Sequence, residues 1–244
     1  MCELCNHSHP SRLSRRSAIL GMGAAFSFAA LPLVRVRADQ AISLTPPPNA
    51  IHPDEALKRL MEGNARYAAN APNEKDFSAG RAERVGVQYP IAAVLGCSDS
   101  RVSPELAFDQ HPGDIFVVRI AGNFVTEYGL ASLEYAVKIL GVPLIMVLGH
   151  TNCGAVGAAV KVVTERAELP GHLPELVKAI EPAVIAAHAR HPSDLVAVAT
   201  EENVKLNVGR LKQDHPIVSE AYAAKKINVV GGIYDLATGK ISLL

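Results

Sequence analysis

The chain has 244 residues, 49% of them hydrophobic and 20% charged, which is enough for one domain with a full core and too little for a second large one. Trp is absent and aromatics make up 5%, which argues against the stacking platforms of single-strand nucleic-acid binders. Residues 1–38 carry five Arg and one Glu, leaving 19 basic and 23 acidic residues beyond them; a domain of net charge −4 has no general electrostatic attraction to nucleic acid or anionic lipid.

Arg15 and Arg16 stand just before an apolar run from Ala18 to Val34, and Val36-Arg37-Ala38 then offers residues that a signal peptidase reads. Residues 1–38 thus resemble a twin-arginine export signal, which predicts a periplasmic or otherwise exported protein that engages the twin-arginine export machinery. No stable membrane anchor is expected, because an apolar run of 17 residues, weakly hydrophobic, sits at the short limit for spanning a bilayer. Cys2 and Cys5, with His7 and His9 behind them, have the spacing of a redox motif or metal clip. They lie upstream of the arginines without a helix or strand pattern, and are read as part of the signal. Its removal leaves Cys97 and Cys153 as the cysteines of the mature chain.

Residues 39–53 are rich in proline, with Pro46, Pro47, Pro48 and Pro53, and predict an extended, solvated linker. From Asp54 the pattern Leu57, Leu60, Met61, Ala65 predicts a helix that packs outside the sheet or against a second subunit. Asn70 to Gln88 lacks periodicity and reads as loop with room for a short helix. Ile91–Leu95, Ile115–Ile120, Leu144–Leu148 and Ile227–Val230 are apolar and largely β-branched, the pattern of parallel strands buried on both faces. Leu130, Leu133, Val137 and Leu140 have helical spacing, as do Leu173–Arg190 and Leu195–Lys212. Residues 54–244 are therefore expected to form an α/β domain, a mostly parallel central sheet flanked by helices. Lys240–Leu244, after a turn at Asp235–Gly239, predicts an antiparallel edge strand at the C-terminus.

Two cassettes follow directly on apolar strands: Cys97-Ser98-Asp99-Ser100-Arg101 and His150-Thr151-Asn152-Cys153. Ligands bind at such strand ends in open α/β sheets. Cys and His are zinc ligands, and three of them with an open fourth position are the catalytic form of a zinc site. Cys97, His150 and Cys153 are the predicted metal ligands. The fourth position takes either water, whose pKa zinc lowers to about 7, or Asp99, which closes the site. Arg101, two residues on, predicts an ionised Asp99 turned away from the metal. The competing readings are a Cys97–Cys153 disulfide, as is usual in exported proteins, and an Asp99 that only caps a following helix.

Cys97-Ser98-Asp99-Ser100-Arg101-Val102 and Gly149-His150-Thr151-Asn152-Cys153-Gly154 together resemble the paired signature of the β-class carbonic anhydrases. The likeness extends through Phe116–Asn123 and Ser132–Ala136, and covers roughly residues 50–235. The resemblance implies one Zn²⁺ per subunit on Cys97, His150 and Cys153, with Asp99 and Arg101 as a catalytic dyad. It implies reversible hydration of CO₂ to bicarbonate and a proton by zinc-hydroxide attack. By the same likeness Gln88 hydrogen-bonds substrate, while Phe116 and Tyr135 line an apolar CO₂ pocket at a dimer interface, in a homodimer or tetramer. Some members close the site with Asp99's counterpart as fourth ligand. The chain departs from the plant-like pattern at Ala121-Gly122, where many members carry Val-Ala. Alternatives on the same fold are a CS₂ or COS hydrolase and a non-catalytic zinc- or bicarbonate-binding relative.

Overall fold

The computed structural model describes residues 46–213 and 216–244. The proposed export signal and the first part of the linker lie outside the described residues. Helix α1 spans Pro53–Ala68, with His52 as N-cap accepting from the Asp54 amide and proline in the first turn, where its missing N–H costs nothing. It begins one residue before the predicted Asp54. Of the predicted linker, Pro46, Pro47 and Pro48 are exposed, while Asn49 is buried, its amide donating to the carbonyls of Pro90 at 3.1 Å and Leu140 at 2.7 Å. Polar side chains that can satisfy buried carbonyls pull an otherwise solvated segment onto the domain.

The sheet has five strands: β1 Ala92–Gly96, β2 Ile115–Arg119, β3 Leu144–His150, β4 Asn228–Tyr234 and β5 Ile241–Leu243. Their order is β2-β1-β3-β4-β5, with the first four parallel and β5 antiparallel to β4. β1 and β3 are buried at every position, as their unbroken apolar runs require. Alternate residues divide between two cores. Ala92, Val94, Leu144, Met146 and Leu148 pack with Ala56 and Leu60 of α1 on one face. Ala93, Leu95, Ile145 and Val147 pack on the other face with Leu133 and Ala136 of α3 (Glu127–Lys138), and with Val204 and Leu211 of α7 (Leu195–Gln213). Each Val or Leu fully withdrawn from water contributes about 1.5–3 kcal/mol.

Between β1 and β2 lies one short helix, α2 (Pro104–Ala107). After β3 come α4 (Gly154–Glu165), α5 (Leu173–Lys178) and α6 (Glu181–His188). The single helical run predicted over 173–190 is split, because Pro182 lacks an amide proton and its ring clashes with the preceding turn, so it opens a new helix. Helix α8 (Ile217–Ala223) leads into β4. A third core cluster joins Cys97, Cys153, Phe124, Val156, Ile180, Val184 and Ala199. Among the described residues no helix is long and apolar enough to cross a membrane.

Candidate metal centre

Gly96 at the end of β1 pairs with Leu148 of β3, so the residues that follow the two positions emerge at one edge of the sheet. β2 lies on one side of β1, while β3 and β4 run away on the other, and the order reverses between β1 and β3. This is the switch point at which doubly wound sheets open a crevice. Cys97 follows β1 directly, and His150 is the last residue of β3, which runs two residues beyond the predicted Leu148. Asn152 takes a left-handed φ of 54°, which asparagine tolerates. The turn brings Cys153 back to the same edge as the N-cap of α4.

The ligand atoms of Cys97, His150 and Cys153 all lie within 4.8 Å of one another, and all three residues are buried. Both cysteines are free thiols, so the disulfide alternative is not adopted. His150 Nδ1 lies 2.9 Å from the Thr151 carbonyl. That contact makes Nδ1 the donor and leaves a lone pair on Nε2, the arrangement typical of metal-binding histidines. Nε2 is buried and has no hydrogen-bond partner among the described residues. A buried acceptor without a partner is costly in a folded protein, and a cation between the two thiols would satisfy it. The donor set therefore fits a metal ion.

The backbone N–H of Gly122 donates to Cys97 Sγ at 3.3 Å. The Cys97 thiol is drawn well below its ordinary value, mainly because the Cys153 thiol hydrogen-bonds to it, with the Gly122 amide adding to this against the opposing effect of burial. The same sharing pushes Cys153 up, and burial adds to that, although the amides of Val156 and Ala155 favour its thiolate. One proton held between two thiols is what a divalent cation displaces, since a coordinating thiol deprotonates outright.

Arg101 grips Asp99 through three bonds: its amide and Nε to Oδ1, each at 2.9 Å, and Nη2 to Oδ2 at 2.7 Å. These bonds hold the Asp99 carboxyl well below the usual carboxylate range, against some desolvation. Asp99 Oδ2 lies 3.9 Å from His150 Nε2 and stands outside the three-ligand cluster. It caps no helix, for α2 starts at Pro104 with Ser103 as its N-cap.

Sequence reasoning gave Arg119 no role, yet it binds the cassette from beneath. Its Nε donates to the carbonyl of Cys97 at 2.8 Å, and Nη2 donates to the carbonyls of Asp99 at 2.6 Å and Val102 at 2.9 Å. The available signal was an arginine ending an otherwise apolar strand.

Gln88, Phe116 and Tyr135 are not brought to the cluster. Gln88 and Tyr135 line a cleft of about 780 Å³ with Val85, Val87, Tyr89 and Ile139, and no ligand residue lines it. Phe116 is half-buried, its ring centroid 6.3 Å from that of Tyr135.

The family model described as "Carbonic anhydrase" matches residues 92–241. The chain belongs to this family. Carbonic anhydrase 2 of Mycobacterium tuberculosis is 38% identical over 193 residues, covering 79% of this chain and 93% of the relative. The carbonic anhydrase of Pseudomonas aeruginosa is 36% identical over 200 residues, covering 77% and 87%. Among solved structures, a tetrameric β-carbonic anhydrase from Sordaria macrospora matches with a TM-score of 0.62 at 26% identity, over 78% of this chain and 97% of that one. Coccomyxa β-carbonic anhydrase, solved with acetazolamide, matches with a TM-score of 0.61 at 29% identity, over 77% and 86%. As a carbonic anhydrase of the β class, the chain carries the family's mixed sheet, with the Cys–His–Cys cluster at its switch point.

Proposed function

We propose that this protein is a zinc enzyme that interconverts CO₂ and bicarbonate. The observation that carries the reading is His150 Nε2, buried and unpartnered within 4.8 Å of two thiols, its other nitrogen committed to Thr151. Cys97, His150 and Cys153 would hold the ion. Zinc, when bound, acts as a Lewis acid that lowers the pKa of a coordinated water to about 7.

The remaining steps belong to the chain. Arg101 keeps Asp99 ionised and fixes its plane, and Oδ2, on the side facing His150, retains a lone pair. Through it Asp99 accepts a hydrogen bond from the attacking water and aims a lone pair of that water at the CO₂ carbon, and the proton freed as the new C–O bond turns CO₂ into bicarbonate passes to buffer. With both carboxylate oxygens held by Arg101, Asp99 remains an orienting group rather than a fourth ligand in this arrangement. The cleft of Gln88 and Tyr135, with Phe116 against it, exposes apolar side chains rather than facing the cluster. We infer that it meets the metal centre of a second copy, so that a homodimer, or a tetramer of two dimers, completes each CO₂ pocket. The tetrameric β-carbonic anhydrase of Sordaria macrospora, a solved relative, supports this.

The deciding experiment is stopped-flow CO₂ hydration by zinc-loaded protein over roughly pH 6–9, which brackets the expected ionisation. Catalysis rising with pH and tracking zinc content is expected. Turnover of CS₂ or COS without CO₂ hydration would overturn the assignment. Residues 1–38 are further proposed to direct twin-arginine export to the periplasm. Replacing Arg15 and Arg16 by Lys should retain the protein in the cytoplasm; unchanged export refutes it.

A further inference from the structure

We propose that Asn203, on α7 and outside the cassettes, is a positioning residue for the metal centre, acting through Gly122 on Cys97. This rests on the metal-centre reading above. Gly122 is held from both sides. Its N–H donates to Cys97 Sγ at 3.3 Å, and its carbonyl accepts from Asn203 Nδ2 at 2.7 Å. It sits at a φ of +85°, and a Cβ there would come within 2.5 Å of Ile180 Cδ1. Only glycine fits, and glycine has little conformational preference of its own. The angle at which its N–H meets the sulfur is therefore set by what grips its carbonyl.

The grip is itself fixed. Asn207 Nδ2 donates to the Asn203 carbonyl at 2.8 Å and to Asn203 Oδ1 at 3.2 Å, which turns the Nδ2 of Asn203 toward Gly122. Asn207 Oδ1 accepts from the Val125 amide at 2.8 Å, and Arg210 donates to the Val125 carbonyl at 2.8 Å. Positions 203, 207 and 210 share one helix face, and together they hold the loop 122–125. Asn203 and Asn207 are buried; amides are costly in a core unless each bond is made, and here the bonds go to the loop. The register of α7 is locked from the sheet side. Val204 fills a notch over Gly149 and Gly231, where an added Cβ would lie 2.7 Å from its methyl groups.

An N–H aimed at a thiolate fixes the direction of its lone pairs toward the metal and lowers their energy, so its loss leaves the sulfur misaimed and its lone pairs higher in energy. Outer contacts of this kind are typically worth 10–100-fold in metal affinity. The test compares wild type, Asn203→Ala, the near-isosteric Asn203→Asp and the control Thr200→Val, whose lost hydroxyl bonds only Val196 within α7. Zinc affinity is read by chelator competition, and the thiolate-to-metal absorption band is read on the Co²⁺ form. Both Asn203 variants should bind zinc about 10-fold or more weakly and shift the band to longer wavelength, while Thr200→Val matches wild type. Asn203 variants that keep wild-type affinity and band, or that change no more than Thr200→Val, overturn the proposal. If neither variant folds, the ¹¹³Cd-loaded wild type decides: scalar coupling from cadmium to the Gly122 amide proton together with coupling across the hydrogen bond from Asn203 Nδ2 to the Gly122 carbonyl supports it, and the absence of either refutes it. A wild type that takes up no metal refutes the underlying metal-centre reading instead.

Discussion

The guanidinium of Arg101 meets the carboxylate of Asp99 edge to edge, Nε to Oδ1 at 2.9 Å and Nη2 to Oδ2 at 2.7 Å. Two parallel charge-assisted bonds fix orientation as well as charge. Arg101→Ala should leave zinc stoichiometry intact while lowering CO₂ hydration by about 100-fold, the cost of misplacing a reacting group. Stopped-flow rates and metal analysis on one sample check this. Because Asp99 is held well below the usual carboxylate range, it stays ionised throughout the working range. An acid-side fall in activity above roughly pH 6 therefore reports another group, the reacting water.

Replacing Cys97, His150 or Cys153 by Ala should remove bound zinc and return CO₂ hydration to the uncatalysed rate. Metal bound only by the folded state stabilises it, so a chelator should lower the melting temperature of wild type and leave that of Cys97→Ala unmoved. Calorimetry with and without chelator reads the difference.

Arg119 holds two carbonyls of the first cassette and that of Val102 with one side chain. Arg119→Ala should destabilise the protein by about 2–4 kcal/mol, since bonds from a charged donor are worth about 1.5–3 kcal/mol each and are not additive. Lys lacks the planar fork, so Arg119→Lys should recover only part of this in urea denaturation.

Asp109 is a buried carboxylate held by Arg66 Nε at 2.7 Å, by Lys75 Nζ and by the Asn73 amide at 3.1 Å. Burial opposes its ionisation, but these partners win and hold it at about 2, against about 3.9 for an unfolded chain. A depressed folded value means that this stabilisation is complete above about pH 4 and is lost as pH falls toward 2. Allowing for screening around the partly exposed Arg66, the loss is on the order of 1–2 kcal/mol. Asp109→Asn should flatten the dependence of stability on pH between about 4 and 2, as followed by acid titration of the unfolding midpoint.

Val204 lies against both Gly149 and Gly231. Gly149→Ala should cost about 1–3 kcal/mol by overpacking, measured by denaturant unfolding, and should weaken zinc binding as α7 shifts.

Strand positions were legible because β1 and β3 are buried on both faces, so their apolar runs are unbroken. The gathering of Cys97, His150 and Cys153 was legible because residue type and spacing at two strand ends are local features. Other features were hidden by being non-local. Arg119 and Asn203 act on backbone carbonyls 17 to 81 residues away, and nothing near them in the chain marks the partner. α4 and α8 went unread, since Gly154-Ala155-Val156-Gly157 and the short run at 217–223 lack a clear apolar stripe. The break before α6 is marked in the sequence by Pro182, while the apolar spacing around it runs on unbroken. Gln88 and Tyr135 were placed by likeness, and within one chain they do not reach the cluster.

The two cassettes come from strands paired in the folded sheet, His150 lying 53 positions after Cys97. A ribosome must therefore release Cys153 and let β3 settle beside β1 before any complete metal site exists. Metal loading is thus a late event in the life of the nascent chain. Until then both thiols are unprotected, and the compartment in which synthesis ends decides whether they capture a cation or are oxidised.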